Sequence, residues 1–120
     1  MNEDFVPFEL AMKLKEKGFR GEVNAYYGKW ENLFDVHPAL DMNDCDYRAS
    51  APTISQVLKW LREEKKIHVA EGYSAFSKWR YIVMFLDERA TTEPTVSSKG
   101  KESYEQAAIA GIEYCLDNLI

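Results

Sequence analysis

The side chains best suited to metal binding or nucleophilic chemistry are His37, His68, Cys45 and Cys115. None of them has the spacing of the C-x-x-C or H-x-x-x-H pairs that zinc sites use. Nucleophilic catalysis needs a thiol or hydroxyl beside a histidine and an orienting acid, and no motif supplies that arrangement. Glycine-rich phosphate loops and the G-x-S-x-G elbow are also absent from the sequence. We therefore predict no catalytic residue, no metal ion, no cofactor and no enzymatic activity.

Residues 37–51 contain a cluster of aspartates that superficially resembles the start of a calcium-binding loop. Such a loop requires Gly at its sixth position and Glu at its twelfth. Counted from Asp41, those positions hold Asp46 and Pro52. The pattern therefore predicts a solvated loop without a bound ion.

Charge and composition exclude several classes of protein. The 120 residues include 20 Asp or Glu and 15 Lys or Arg, which gives a net charge of −5. Non-specific binding to nucleic acid or to an anionic membrane requires the opposite sign. An acidic start and the absence of a long apolar run predict a cytoplasmic protein with reduced thiols and no membrane contact. Both cysteines are expected to be small core residues.

Three helices are predicted from their caps and apolar spacing. The first covers residues 7–17 and is followed by Gly18, which suits the C-terminal cap. The central helix begins at Thr53, whose spacing from Gln56 matches a capping box, and the last helix begins at Ser103 with the same motif. The central helix carries a core-facing stripe at helical spacing, formed by Ile54, Val57, Leu58 and Leu61.

Two β-hairpins are predicted around these helices. Residues 22–36 alternate between apolar and polar, and Gly28-Lys29 suits a two-residue turn that places Tyr27 opposite Trp30. The second hairpin starts with a strand at Ile67 and Val69, continues through a loop at residues 71–78, and returns through residues 79–86. The returning strand is apolar on both faces, which predicts a central strand covered on both sides.

The expected fold is therefore α+β. It consists of an antiparallel sheet of about four strands, formed by two hairpins and covered by three helices, in the order α-β-β-α-β-β-α. We expect one domain over residues 1–120. Residues 88–101 show no periodic pattern and are expected to be either a mobile segment or a binding loop.

Three apolar residues are candidate contacts for a protein partner. Phe8 and Met12 fall with Phe5 on a second stripe of the first helix, apart from its core-facing residues. Such a stripe is either covered or left as an exposed patch. Trp60 lies at the edge of the central helix's apolar stripe, where tryptophan often anchors an interface. The structural alternative is that all three simply cover the core. We expect a protein partner and leave a homo-oligomer open.

Nucleic-acid binding is the alternative function. A capped helix followed by a hairpin over residues 53–86 is typical of a winged helix-turn-helix. Its candidate contacts are Lys59, Arg62, Lys66 and Arg80. The net charge argues against this alternative, as does the acidic, proline-containing segment where the motif needs a preceding helix.

Several segments together resemble a family of small proteins associated with prophages and mobile elements of gut bacteria. The resemblance is carried by FELA (8–11), LKEKGF (14–19), APTISQVLKWLREEK (51–65), SYEQAA (103–108), GIEY (111–114) and LDNLI (116–120). It implies a genomic context and an accessory role in binding a host or element protein. It implies no activity, cofactor or functional residue.

Overall fold

A computed structural model describes residues 5–44, 47–76, 78–90, 94–97 and 100–120. The described residues form three helices and six strands, with the bounds α1 Phe8–Glu16, β1 Val23–Tyr27, β2 Leu33–Leu40, β3 Ala49–Ser50, α2 Ile54–Glu64, β4 Ile67–Ser74, β5 Lys78–Phe85, β6 Thr95–Val96 and α3 Tyr104–Asn118. The chain divides into two compact units, Met1–Gln56 and Val57–Ile120. We call them the first and second units, and the boundary falls within α2.

The predicted α+β class and the three helices are confirmed, but the strands are more numerous than expected. They form two antiparallel three-stranded sheets, with the orders β2-β1-β3 and β4-β5-β6. The additional strands, β3 and β6, have two residues each and lie in segments that show no periodicity. Two residues are too few for an alternating pattern to be visible. The single-domain expectation stays a prediction.

The predicted helix signals are confirmed in the hydrogen bonds at the helix ends. Thr53 and Gln56 form a reciprocal capping box, in which the Thr53 N–H donates to Gln56 Oε1 at 2.8 Å and the Gln56 N–H donates to Thr53 Oγ1 at 3.2 Å. The Ser103 hydroxyl accepts from the Gln106 N–H in the same way. Gly18 follows α1 with a φ of 89°, a left-handed conformation that glycine adopts without steric cost. The predicted stripe of α2 is buried.

The β1–β2 turn differs from the predicted two-residue turn. The Glu31 N–H donates to the Gly28 carbonyl, the Gly28 N–H donates to the Asn32 carbonyl, and Glu31 has a φ of 65°. These features define a three-residue loop that ends in a left-handed residue. The residue opposite Tyr27 is therefore Leu33, three positions beyond the predicted Trp30. An odd shift reverses the faces of a strand, and every residue of β2 is at least partly exposed.

The β4–β5 hairpin is longer than predicted. The two strands pair without interruption from Ile67 opposite Phe85 to Ser74 opposite Lys78. The expected loop at residues 71–78 is therefore wrong, because most of it continues the ladder. β5 is the central strand of its sheet, as predicted, but its faces are less covered than expected, since Val83 is the one residue of the strand that is buried.

Helix α3 packs closely on β4 and β5 in the second unit. Gly111 makes this approach possible, because a Cβ atom at this position would lie 2.7 Å from Val69 Cγ1 and 3.0 Å from Tyr81 Cβ. Both neighbouring atoms belong to strand residues that cannot easily move away. The fully buried residues of α3 surround this contact: Ala107, Ala108, Ile112, Cys115 and Leu116.

We expect the substitution Gly111→Ala to lower the free energy of unfolding by about 2 kcal/mol, because the added methyl group overpacks the contact between α3 and the sheet. Gly72→Ala is the matched control. Its Cβ would meet Ile82 Cδ1 at an ordinary 3.5 Å, so we expect no loss of stability. Urea unfolding of both variants measures the difference. Equal midpoints would contradict the proposed close approach.

Candidate functional site

A shallow depression in the first unit has a volume of about 170 Å³. Its wall combines aromatic, aliphatic and cationic side chains from α1, the β1–β2 turn and the segment before α2. The lining residues are Phe8, Met12, Tyr27, Gly28, Lys29, Tyr47, Arg48 and Ala49. We call it the Phe8–Tyr47 depression. Pockets for small-molecule ligands typically enclose about 300–1,000 Å³, so this depression has the size of a site for one side chain.

The apolar wall is formed by residues one helical turn apart and by a fixed tyrosine. Phe8 and Met12 lie at i and i+4 on α1, so their side chains are neighbours on the helix surface. Phe8 is half-buried and meets the Tyr27 ring edge-on, with 5.5 Å between the ring centroids. The Tyr27 hydroxyl donates to the Val6 carbonyl at 2.7 Å, and burial raises the pKa of this tyrosine. Met12 remains 41% exposed.

The opposite wall is cationic. The Arg48 guanidinium lies 5.9 Å from the Tyr26 ring centroid and 5.8 Å from that of Tyr47. It also donates to Asp44 Oδ1 at 3.1 Å. The Lys29 ammonium lies 5.3 Å from the ring centroid of Trp30. The lining residues of the depression include no carboxylate among those that the structure describes.

A buried hydrogen-bond network holds the segment that carries Tyr47 and Arg48. Asn43 is 9% exposed and Ser50 is fully buried. The Asn43 side chain donates to the Phe19 carbonyl at 2.8 Å and accepts from the Ser50 N–H at 2.8 Å. The Ser50 hydroxyl then accepts from the Met42 N–H at 2.9 Å. The expectation that residues 37–51 form a solvated loop is therefore wrong at Met42 and Asn43. It is also wrong at both ends of that range, because residues 37–40 belong to β2 and Ala49–Ser50 form β3.

The predicted partner contacts belong to different units of the chain. Phe8 and Met12 lie together in the depression, as their spacing suggested. Trp60 lies in α2 and is half-buried, with the Lys65 ammonium 5.4 Å from its ring centroid. The sequence reasoning missed Tyr27, Tyr47 and Arg48. No local pattern marks them, because they reach the depression from different segments of the chain.

The candidate nucleic-acid contacts do not form one basic helix face. Lys59 and Arg62 are exposed on α2, but Lys66 lies beyond the helix end with a φ of 56°. Arg80 is half-buried on β5, and its Nε has no hydrogen-bond partner among the described residues. The element before α2 is the strand β3, where a helix-turn-helix needs a helix. The nucleic-acid alternative stays a prediction without further support.

The remaining candidate residues for chemistry are dispersed. His37 is exposed on β2, and His68 is half-buried on β4. Cys115 is fully buried, as predicted, and burial raises the pKa of its thiol to about 12, which disfavours the reactive thiolate. Cys45 and Asp46 lie outside the described residues. Within the described part of the chain, no three His, Cys, Asp or Glu residues could together hold a metal ion.

No helix in the described part of the chain combines the length and apolar character needed to cross a bilayer. No family model, no curated protein and no solved structure matches the sequence or the fold. The resemblance to prophage-associated proteins stays a prediction.

Glu71 is a partly buried carboxylate on β4, opposite Tyr81. Burial raises the pKa of Glu71, and a hydrogen bond with the Tyr104 side chain opposes this shift without cancelling it. Between the glutamate pKa of the unfolded chain and the raised pKa of the folded chain, the folded state binds more protons. Linkage then makes stability fall as pH rises through that interval.

We expect the Asn43→Asp substitution to lower the free energy of unfolding by about 2–3 kcal/mol at neutral pH, because a carboxylate cannot donate to the buried Phe19 carbonyl. A protonated carboxyl can donate, so the loss should shrink as pH falls. Asn32→Asp, at an exposed position, is the control and should change little. Urea unfolding at several pH values measures both. A pH-independent loss would contradict the assigned network.

We expect the Glu71→Gln substitution to flatten the pH dependence of stability in the acidic range, because glutamine has no proton to gain. The wild-type chain should lose stability relative to the variant as pH rises above the ordinary glutamate pKa of about 4. Glu113→Gln, for a glutamate on α3, controls for the loss of one negative charge. Parallel stability curves for wild type and Glu71→Gln would show that burial does not raise this pKa.

Proposed function

We propose that the protein is a small, non-enzymatic accessory or adaptor protein that binds a protein partner through the Phe8–Tyr47 depression. The observation that supports this proposal most directly is the exposed Met12 at the edge of a depression walled by aromatic rings. Protein interfaces concentrate their binding energy in such places, where one anchor side chain enters a well-packed cavity.

The size of the depression favours a protein partner over a small-molecule substrate. At about 170 Å³ it has room for a single side chain of the partner. One aromatic residue of its wall is oriented before binding, since the Tyr27 hydroxyl donates to the Val6 carbonyl. Preorganised walls reduce the entropy that binding must otherwise overcome.

The proposed setting is the cytoplasm of a cell that carries the protein on a mobile element. The free, buried thiol of Cys115 suits a reducing compartment. The resemblance of the α2 and α3 segments to prophage-associated proteins supports the accessory role. A host protein and a protein of the element are both consistent with this proposal.

The test compares partner capture by the wild-type chain and by a Met12→Glu variant. Tagged chains are incubated with nuclease-treated and untreated lysates of the cells that encode the protein, and the captured proteins are identified by mass spectrometry. A captured protein is then purified, and its affinity for both chains is measured by titration calorimetry. We expect Met12→Glu to weaken binding by roughly 30-fold, a loss of about 2 kcal/mol typical of a central anchor.

Leu40→Glu is the matched control, because Leu40 is 51% exposed in the same unit and does not line the depression. We expect the control to retain wild-type affinity. Equal losses in the two variants would locate binding elsewhere. Loss of capture after nuclease treatment alone would favour the nucleic-acid alternative.

A further inference from the structure

The Phe8–Tyr47 depression differs in charge from the chain as a whole. Acidic residues outnumber basic ones by 20 to 15 in the sequence. The described lining of the depression nevertheless contains two cations, Lys29 and Arg48, and no carboxylate. Charges of opposite sign across an interface select the partner and increase the rate of association.

Arg48 retains donor capacity for an incoming acceptor. A guanidinium has five N–H donors in a planar fork that matches a carboxylate. The Arg48 side chain is 29% exposed, and its Nη2 donates to the carboxylate of Asp44 at 3.1 Å. Asp44 is itself 58% exposed, so this ion pair competes with water and contributes little. A partner carboxylate can therefore replace or join Asp44 at the guanidinium.

The aromatic rings of the depression favour a partner segment in which an aromatic side chain lies next to the carboxylate. Phe8 and Tyr27 already make an edge-on contact, and Tyr47 is 65% exposed beside Arg48. An aromatic ring that enters the depression gains favourable ring contacts beyond the burial of its area. The volume of the depression admits one such side chain, with its neighbouring residues left at the cationic rim.

From this juxtaposition of aromatic and cationic walls, we infer that the depression binds an acidic segment of a protein partner in which an aromatic residue adjoins Asp or Glu. The aromatic side chain packs against Phe8, Met12 and Tyr27, and the carboxylate accepts hydrogen bonds from Arg48. This inference rests on the proposed function and specifies the chemistry of the partner segment.

The probes are three unlabelled peptides with acetylated and amidated ends: Ser-Glu-Phe-Glu-Ser, Ser-Lys-Phe-Lys-Ser and Ser-Glu-Ala-Glu-Ser. They are added to the ¹⁵N-labelled full chain, and amide chemical shifts report the affinity and the place of binding. A dye is avoided because it would add its own aromatic rings and charge. We expect the first peptide to shift the amides of the depression and to bind about tenfold more tightly than either of the others.

Two variants test the role of Arg48 in opposite directions. Arg48→Met removes the charge but keeps the length of the side chain, and should reduce binding of the Glu-Phe-Glu peptide about tenfold. Asp44→Asn removes the competing carboxylate and should tighten the binding of the same peptide severalfold. A purely structural role of Arg48 predicts no tightening. The Asp44→Asn result also keeps the inference testable if Arg48→Met fails to fold.

The outcomes separate this inference from the proposed function. Equal binding of the glutamate and lysine peptides would overturn the charge selection, while leaving the depression as an apolar docking site. Equal binding of the Glu-Phe-Glu and Glu-Ala-Glu peptides would overturn the aromatic side chain as the anchor. Concentration-dependent dimers that are lost in Trp30→Ala would identify a second copy of the chain as the occupant. Peptide binding that survives Met12→Glu would contradict the proposed docking site itself.

Discussion

The buried amide of Asn43 is the interaction on which the candidate site depends. Its Nδ2 donates a hydrogen bond to the Phe19 carbonyl after α1, and its Oδ1 accepts one from the Ser50 N–H in β3. Because both main-chain groups are shielded from water, losing either bond would leave an unpaired polar group at a cost of about 1–3 kcal/mol. Asn43 is thereby tied to Ser50, two positions after Arg48, and Tyr47 and Arg48 both line the depression. A polar contact in the core thus determines the shape of a surface feature.

The β1–β2 turn is the second constraint. Its three-residue loop brings Phe34 opposite Tyr26, where their rings stack with centroids 5.2 Å apart. The Phe34 ring also passes so close to Gly28 that a Cβ atom there would lie 2.7 Å from Phe34 Cε2. Tyr26 in turn lies beneath the Arg48 guanidinium. The length of the β1–β2 loop therefore affects the depression, because it places Phe34 against Tyr26, and Tyr26 in turn contacts Arg48 of the lining.

The charges of this protein are unevenly distributed, so the net charge does not describe every part of its surface. A net charge of −5 argues against a general affinity for nucleic acid, but the total does not reveal the cationic lining of one depression. Lys29 and Arg48 are 19 positions apart in the sequence, with acidic residues between them. Their proximity follows from β1 pairing with both β2 and β3, which brings the turn and the segment before α2 to the same part of the first unit.

The sequence by itself determined the features that depend on near neighbours: the capped starts of α2 and α3, the exit of α1 at Gly18, the buried stripe of α2, and the α+β class. Caps and helical stripes are set by residues within one or two turns, so their pattern is visible along the chain. Tertiary structure alone decided the division into two sheets, the short strands β3 and β6, and the register of β1 with β2. It also decided the grouping of Phe8 and Met12 with Tyr27, Tyr47 and Arg48. These features depend on which distant main-chain groups pair and on which side chains satisfy buried polar atoms, and no local spacing encodes either choice.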